Sequence, residues 1–326
     1  MTAPSLPRAR SAGLRDPALW LALAASGGLV ALLARYWPTG FDYQIFYTVS
    51  RAWLAGQTRL YDAASPLFYS PPWSLALFVP LSLLPFPIGQ ALFVVASLTG
   101  IIWAASAIQE GVRPKIGLVL LAVANLQILN LHLVANVDGF ALAGVAAGWV
   151  SIRRRQPWLL AAALWLMSLK PVNVWPAALL LLTALRPWPP RDWLKAASVL
   201  AASVAVSLAL DPSWPVRYFN LVRADSLADY TLVSTVWRAS AALAIPLFAV
   251  VGAAAVAAPA CVAVAWRFGL RQATVSLVLA TTLAFTPYAT GIHYVLLVPA
   301  FVYVGRRWPM LVVAYLATWT PLLRPV

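Results

Sequence analysis

Acidic residues are scarce: nine Asp and Glu stand against 23 Lys and Arg in 326 residues. Charged residues of both signs make up 10% of the chain and hydrophobic residues 62%, where a soluble domain carries about 25% charge. That shortage excludes a soluble enzyme and implies a chain that crosses a membrane repeatedly. One cysteine, Cys261, lies inside an apolar run, so neither a disulfide framework nor a thiolate metal site is available. It reads as a packed small residue. Histidines number two. No phosphate-cradling glycine motif occurs, and the loops assigned below to the cytoplasmic side are short, which argues against cytosolic ATP or a sugar nucleotide as direct energy source. No internal repeat is apparent, which counts against transporters built from duplicated halves. The net charge of +14 does not point to nucleic acid, because the basic residues sit in small clusters between apolar runs, as topology signals do.

What is present is apolar sequence. Runs lie near 18–34, 87–108, 116–133, 138–152, 157–169, 174–185, 193–210, 240–266, 272–287, 294–305 and 309–323. At about 20 residues per span plus short loops, they predict an all-α polytopic membrane protein of about eleven spans, one integral membrane domain over 1–326. Arg8, Arg10 and Arg15 before the first run resemble a signal peptide, but the further runs favour a retained first span. Fifteen basic residues fall in one set of alternate loops and eight in the other. The positive-inside rule then places the N-terminus in the cytoplasm. Asp42, Asp62, Asp138, Asp211, Asp225 and Asp229 fall on the outer side, as do His132 and His293. The polar chemistry is gathered on one face.

The outer loop over 35–86 reads as two short helices. Ile45, Val49 and Trp53 recur at helical spacing between Asp42 and Ala55, with Gly56 as a stop. Trp73 to Leu84 is apolar, too short to span, and bounded by Pro71-Pro72 and Pro85-Phe86-Pro87; it reads as a helix lying in the outer interface. Asp42 opens the first helix. A carboxylate beside a bilayer is costly and marks a functional position, although Asp is also a good helix N-cap.

The stretch Phe41-Asp42-Tyr43-Gln44-Ile45-Phe46-Tyr47 is followed by Trp53-Leu54-Ala55-Gly56, Leu60-Tyr61-Asp62, Phe68-Tyr69-Ser70-Pro71-Pro72 and Pro80-Leu81-Ser82-Leu83-Leu84-Pro85. Leu169-Lys170-Pro171, Thr286-Pro287-Tyr288 and His293-Tyr294-Val295-Leu296-Leu297-Val298-Pro299 come later. Together these resemble glycosyltransferase family 87, C-type glycosyltransferases dependent on polyprenol-phosphate mannose. Two blocks depart from the family. Its Gly-Gln-Val-Asn/Asp-like turn is here Leu133-Val134-Ala135-Asn136-Val137-Asp138, and its Asn-Gln-Ser segment is replaced by Thr231 to Arg238.

The resemblance implies transfer of a sugar, mannose in the family, from a polyprenyl-phosphate donor to a lipid or glycan acceptor on the outer face of a bacterial inner membrane. It implies no cofactor and no metal. Such a transfer needs a carboxylate to take the acceptor's proton and cations or donors to hold the phosphate charge. By the resemblance Asp42 is the base, and His293 binds the donor phosphate or the acceptor; Tyr69 joins as a substrate-binding candidate. Lys170 either holds phosphate or snorkels to the headgroups. Arg238 either pairs with phosphate or anchors its span. His132 is a candidate without family support, and Asp138 is expected to pair with Lys170 or His132. A transporter or flippase-like protein for a lipid-linked solute, or a catalytically degenerate member of the family, are the alternatives.

Overall fold

Proline decides where many of the helices begin. Its fixed φ and missing N–H suit a first turn, and Pro87, Pro157, Pro171, Pro190 and Pro299 each occupy the first turn of a helix. The computed structural model describes residues 17–57, 59–61, 67–110, 122–123, 126–184, 188–225, 243–286 and 291–308. Arg238, Asp62, Asp229, the 231–238 segment and the 309–323 run lie outside the described residues.

Among the described residues all regular structure is helical. In chain order the helices are α1 (Pro17–Tyr36), α2 (Phe41–Leu54), α3 (Leu75–Ser82), α4 (Phe86–Ala107), α5 (Leu126–Val134), α6 (Asp138–Arg154), α7 (Pro157–Met167), α8 (Pro171–Thr183), α9 (Pro190–Leu210), α10 (Trp214–Asp225), α11 (Leu247–Phe268), α12 (Gln272–Phe285) and α13 (Val298–Gly305). A 3-10 turn, Pro72–Ser74, leads into α3, and a longer 3-10 segment, Gly291–Leu297, leads into α13. The amphipathic pattern at 42–55 thus forms α2, and the apolar 73–84 stretch forms the turn and α3.

The protein is an all-α membrane protein, but its apolar runs do not all become long helices. Among the described residues, α4, α9 and the Phe248–Phe268 part of α11 are long and apolar enough to cross a bilayer. Gln127–Val134 and Asp138–Arg154 qualify together, bent by 113° at the break between them. Apart from α1, which is 20 residues long, the other apolar helices are shorter than the roughly 20 residues a straight span requires. The shortening has local causes. Pro171 starts α8 at the end of the 157–169 run, and the 294–305 run begins in 3-10 geometry rather than in α-helix.

Two cores form. One is mostly aliphatic and joins α4, α6, α8, α12 and α13, with Trp149 as its largest side chain. Small residues let its helices approach closely, as in membrane bundles generally: a Cβ on Gly144 of α6 would stand 2.9 Å from backbone atoms of Ala163 and Met167 in α7. The second core is aromatic and joins α2, α3 and α4. Phe46 stacks on Phe78 at 3.8 Å between ring centroids, and Phe93 lies 5.4 Å from Phe78. Face-to-face and offset contacts of this kind add roughly 0.5–1.5 kcal/mol each beyond area burial. This second core fixes α2, and with it Asp42, against the bundle. By contrast α9 and α11 leave most of their apolar side chains exposed, as lipid-facing helices do.

Candidate functional site

Four chain segments converge on one buried polar chain. The first is the start of α2. Its N-cap is Gly40, which makes no side-chain cap, and Asp42 is the second residue of the first turn. Asp42 is therefore not the helix cap, although its charge suits the positive end of the helix dipole. Gly40 is needed for close approach: an added Cβ would lie 2.8 Å from the Ala135 methyl and 3.1 Å from both the Val134 carbonyl and the Gln90 amide nitrogen. Gln90 in turn donates to the Pro38 carbonyl at 2.8 Å.

The second segment is the break between α5 and α6. Ala135 takes the left-handed conformation, φ 55°. The Asn136 N–H reaches back to the Leu131 carbonyl at 3.1 Å and the Ala135 N–H to the His132 carbonyl at 3.1 Å, the closing pattern of a helix C-terminus usually built on glycine. A non-glycine residue there costs about 1–2 kcal/mol. The next helix starts at once. The Asp138 N–H donates to Asn136 Oδ1 at 3.0 Å, an Asx turn that opens α6.

The third segment is the start of α8. Lys170 is its N-cap and Asn173 lies in its first turn. The fourth is the 3-10 segment that carries His293.

Asp138 is the hub. It is fully buried. Its Oδ1 accepts from Asn173 Nδ2 at 3.4 Å and lies 3.5 Å from the Lys170 ammonium. Its Oδ2 is hydrogen-bonded to His293 Nδ1. Of the two pairings expected for Asp138, Lys170 is the one made; His293 joins it and His132 does not. Asn136 links this hub to Asp42. Its Nδ2 donates to Asp42 Oδ2 at 2.5 Å, and its Oδ1 accepts from Lys170 Nζ at 3.3 Å. A buried carboxylate is tolerable only with such partners.

A cavity of about 120 Å³ opens beside the chain, walled by Asp42, Ile45, Phe46, Leu67, Tyr69, Ser70, Asn136, Val137 and Lys170. Its far wall is pinned by hydrogen bonds from Tyr61 to the Ser70 carbonyl at 2.8 Å and from Tyr218 to the Tyr69 carbonyl at 3.3 Å. Trp73 donates to Ser168 Oγ at 2.8 Å, tying that wall to the approach to α8. Burial pushes the Asp42 carboxyl above its usual range. The Lys170 ammonium and the Asn136 amide oppose the shift, Asp138 adds to it and His293 opposes it, and burial prevails. The site therefore presents a carboxylate of raised proton affinity and an ammonium on one cavity wall.

The sequence candidates fall in three places. Asp42, Lys170 and Tyr69 line the cavity. Asp138 and His293 are connected to it but lie behind, His293 only 5% exposed. His132 stands apart: it is buried, and its Nδ1 meets the Ile128 carbonyl of its own helix at 2.7 Å. Arg238 is outside the described residues. Asn136 and Asn173 are site residues that the sequence did not single out. The available signal was an amide two residues before Asp138 and another three residues after Lys170, both in otherwise apolar surroundings. Among the described residues no group of three His, Cys, Asp or Glu side chains is placed to hold a metal.

A second cavity, about 590 Å³ and almost wholly apolar, runs between α2, α3 and α9 on the other side of the 69–73 segment. Trp53, Trp73, Val79, Val199, Val206 and Leu210 are among its walls. Comparison with known proteins adds one finding. The model of glycosyltransferase family 87 matches residues 68–287. The chain has no match among curated proteins and none among solved structures.

Proposed function

The chain belongs to glycosyltransferase family 87, and on that premise we propose that it transfers a sugar, mannose, from a polyprenyl-phosphate donor to a hydroxyl of a lipid or glycan acceptor, with Asp42 as general base. Asp42 takes the acceptor's proton. The freed oxygen attacks the anomeric carbon, the bond from that carbon to the phosphate oxygen breaks, and polyprenyl phosphate leaves carrying the negative charge. Lys170 meets that charge, with Tyr69 lining the same cavity. His293 and Asp138 hold Lys170 in place from behind.

One observation carries this reading: a half-buried carboxylate of raised proton affinity and an ammonium share one cavity wall. A base is most effective when its pKa approaches the working pH, and a fixed cation is worth most where water is excluded. The apolar cavity alongside supports a lipid-linked substrate, because its walls offer little but hydrocarbon. The proposal extends to topology: about eleven spans in a bacterial inner membrane, α2 and α3 lying in the outer interface, the N-terminus cytoplasmic and the site facing outward. The loop charges support this orientation. A transporter needs a site reachable from both sides, and the described polar chain lies at one end of the bundle.

Asparagine at position 42 keeps the size of the side chain but cannot take a proton. Asp42→Asn is expected to lower transfer from polyprenyl-phosphate mannose by roughly 10²–10⁴-fold, the usual worth of general-base catalysis, at unchanged expression. Lys170→Ala is expected instead to raise the KM for the donor. Near-normal turnover in Asp42→Asn would remove the base, and would favour a degenerate or transporting member of the family.

A further inference from the structure

We propose that Asn136 is a positioning residue for the transfer, its amide N–H fixing the Asp42 carboxylate toward the cavity; this rests on the reading of Asp42 as the base. The orientation of the amide is set by chemistry rather than by assignment. The Asp138 N–H at 3.0 Å and the Lys170 ammonium at 3.3 Å are both donors, so the end of the side chain facing them must be the oxygen. The nitrogen end then faces Asp42 Oδ2, at 2.5 Å, and can only donate. Nothing in this arrangement can flip without setting donor against donor and leaving a carboxylate against a carbonyl oxygen.

The backbone beneath the amide is equally constrained. Asn136 is 6% exposed and sits directly after the left-handed Ala135, with its N–H committed to Leu131 and its side chain opening α6. The amide is thus a rigid strut between the bundle and the first turn of α2. The charged groups facing Asp42 are Lys170 from the start of α8, Asp138 from α6 and His293 from the 3-10 segment. Lys170 is held in turn by Asp138, at 3.5 Å. Among the described residues Asn136 is the side chain that hydrogen-bonds the Asp42 carboxylate, and Asp42 lines the cavity.

Asn136 has a competing, purely structural role as the turn former between α5 and α6, and the test separates the two. In Asn136→Asp the side chain keeps its shape, and a carboxylate oxygen still accepts from the Asp138 N–H and from Lys170. Only the end facing Asp42 changes, from donor to acceptor. A turn former predicts normal transfer. A positioning residue predicts a fall in kcat of roughly 10–10²-fold, the scale of a misplaced catalytic group, with the donor KM little changed because Lys170 keeps its partners.

The acid limb of the pH profile adds a second readout. Two facing carboxylates resist ionising together, so the limb moves to higher pH in Asn136→Asp. It moves the same way, by less, in Asn136→Ala, which only removes a donor that favours the ionised form. Both variants are assayed as full chains in native membranes, with radiolabelled polyprenyl-phosphate mannose and the acceptors those membranes contain. Asn136→Asp with kcat within about threefold of the parent and an unshifted acid limb overturns the proposal. Should Asn136→Asp fail to express, an unchanged kcat in Asn136→Ala does so. Asp42→Asn is run beside them: if it is inactive while the Asn136 variants are normal, the base stands and only the strut falls, whereas an active Asp42→Asn removes the base itself.

Discussion

Both ends of α4 and α12 carry amides, cations and carboxylates, and the two ends use them differently. At one end, just past α4, Gln109 Oε1 accepts from Gln272 at 3.1 Å and from Arg306 at 3.2 Å, while its amide nitrogen donates to the Ala105 carbonyl at 2.7 Å. Glu110 and Arg153 pair nearby at 3.4 Å, both partly exposed. That amide cluster closes helix ends against each other, and Glu110, Gln272, Tyr303, Arg306 and Arg307 border a cavity of about 150 Å³ beside it. Farther along α4, beside residues 90–97, Asn136 spends its nitrogen on a carboxylate that borders a cavity. The lesson is that composition does not mark a site. What sets the second end apart is burial: Asn136, Asp138 and His293 are nearly inaccessible where Glu110 and Arg153 are partly exposed, and a buried polar network is costly enough to be kept for a purpose.

The contrast can be broken most forcefully at its hub. Asp138→Ala leaves Lys170 and His293 without their buried partner. Removing one member of a buried ion pair costs about 3–5 kcal/mol, so the thermal midpoint of the detergent-solubilised protein should fall by many degrees and transfer should be lost. An unchanged midpoint would show that the two ends are held alike.

A smaller effect is expected where α2 meets the broken span. Gly40→Ala pushes a methyl into Ala135 and should cost about 1–3 kcal/mol, with transfer reduced because Asp42 shifts off Asn136. Ala135→Gly removes the opposing methyl at a position whose φ suits glycine. The double variant should therefore recover much of the loss, and a simple sum of the two single effects would disprove a direct contact.

The smallest effect belongs to the far end. Glu110→Gln breaks an exposed pair and should change stability by no more than about 1 kcal/mol, with transfer unaltered. A large loss of transfer from this variant would mean that the two ends are coupled.

How much of this was legible beforehand differs by element. The period of Ile45, Val49 and Trp53 marked α2, and Pro71-Pro72 and Pro85-Phe86-Pro87 marked the bounds of the α3 stretch. Asp42, Lys170 and His293 stood out because charge and histidine are rare here. The site's two amides did not stand out. Asn136 and Asn173 are ordinary polar residues, and what distinguishes them is the partner that folding supplies from 94 and 35 positions away. The break at 135–137 was legible as the gap between the 116–133 and 138–152 runs, but the left-handed Ala135 that makes it was not, since alanine rarely takes that conformation.

The sequence by itself determined that this chain is helical and lives in a membrane, because those properties follow from hydropathy and helical period, both of them local. Tertiary structure alone decided which acid became a structural hub and which faced a cavity. Asp42 and Asp138 are the same residue type, each opening a helix. One is wrapped by Lys170, Asn173 and His293, and the other, among the described residues, meets one amide donor and lines a cavity. That difference is set by which segments pack around each carboxylate, and packing between distant segments is not written in any local stretch of residues.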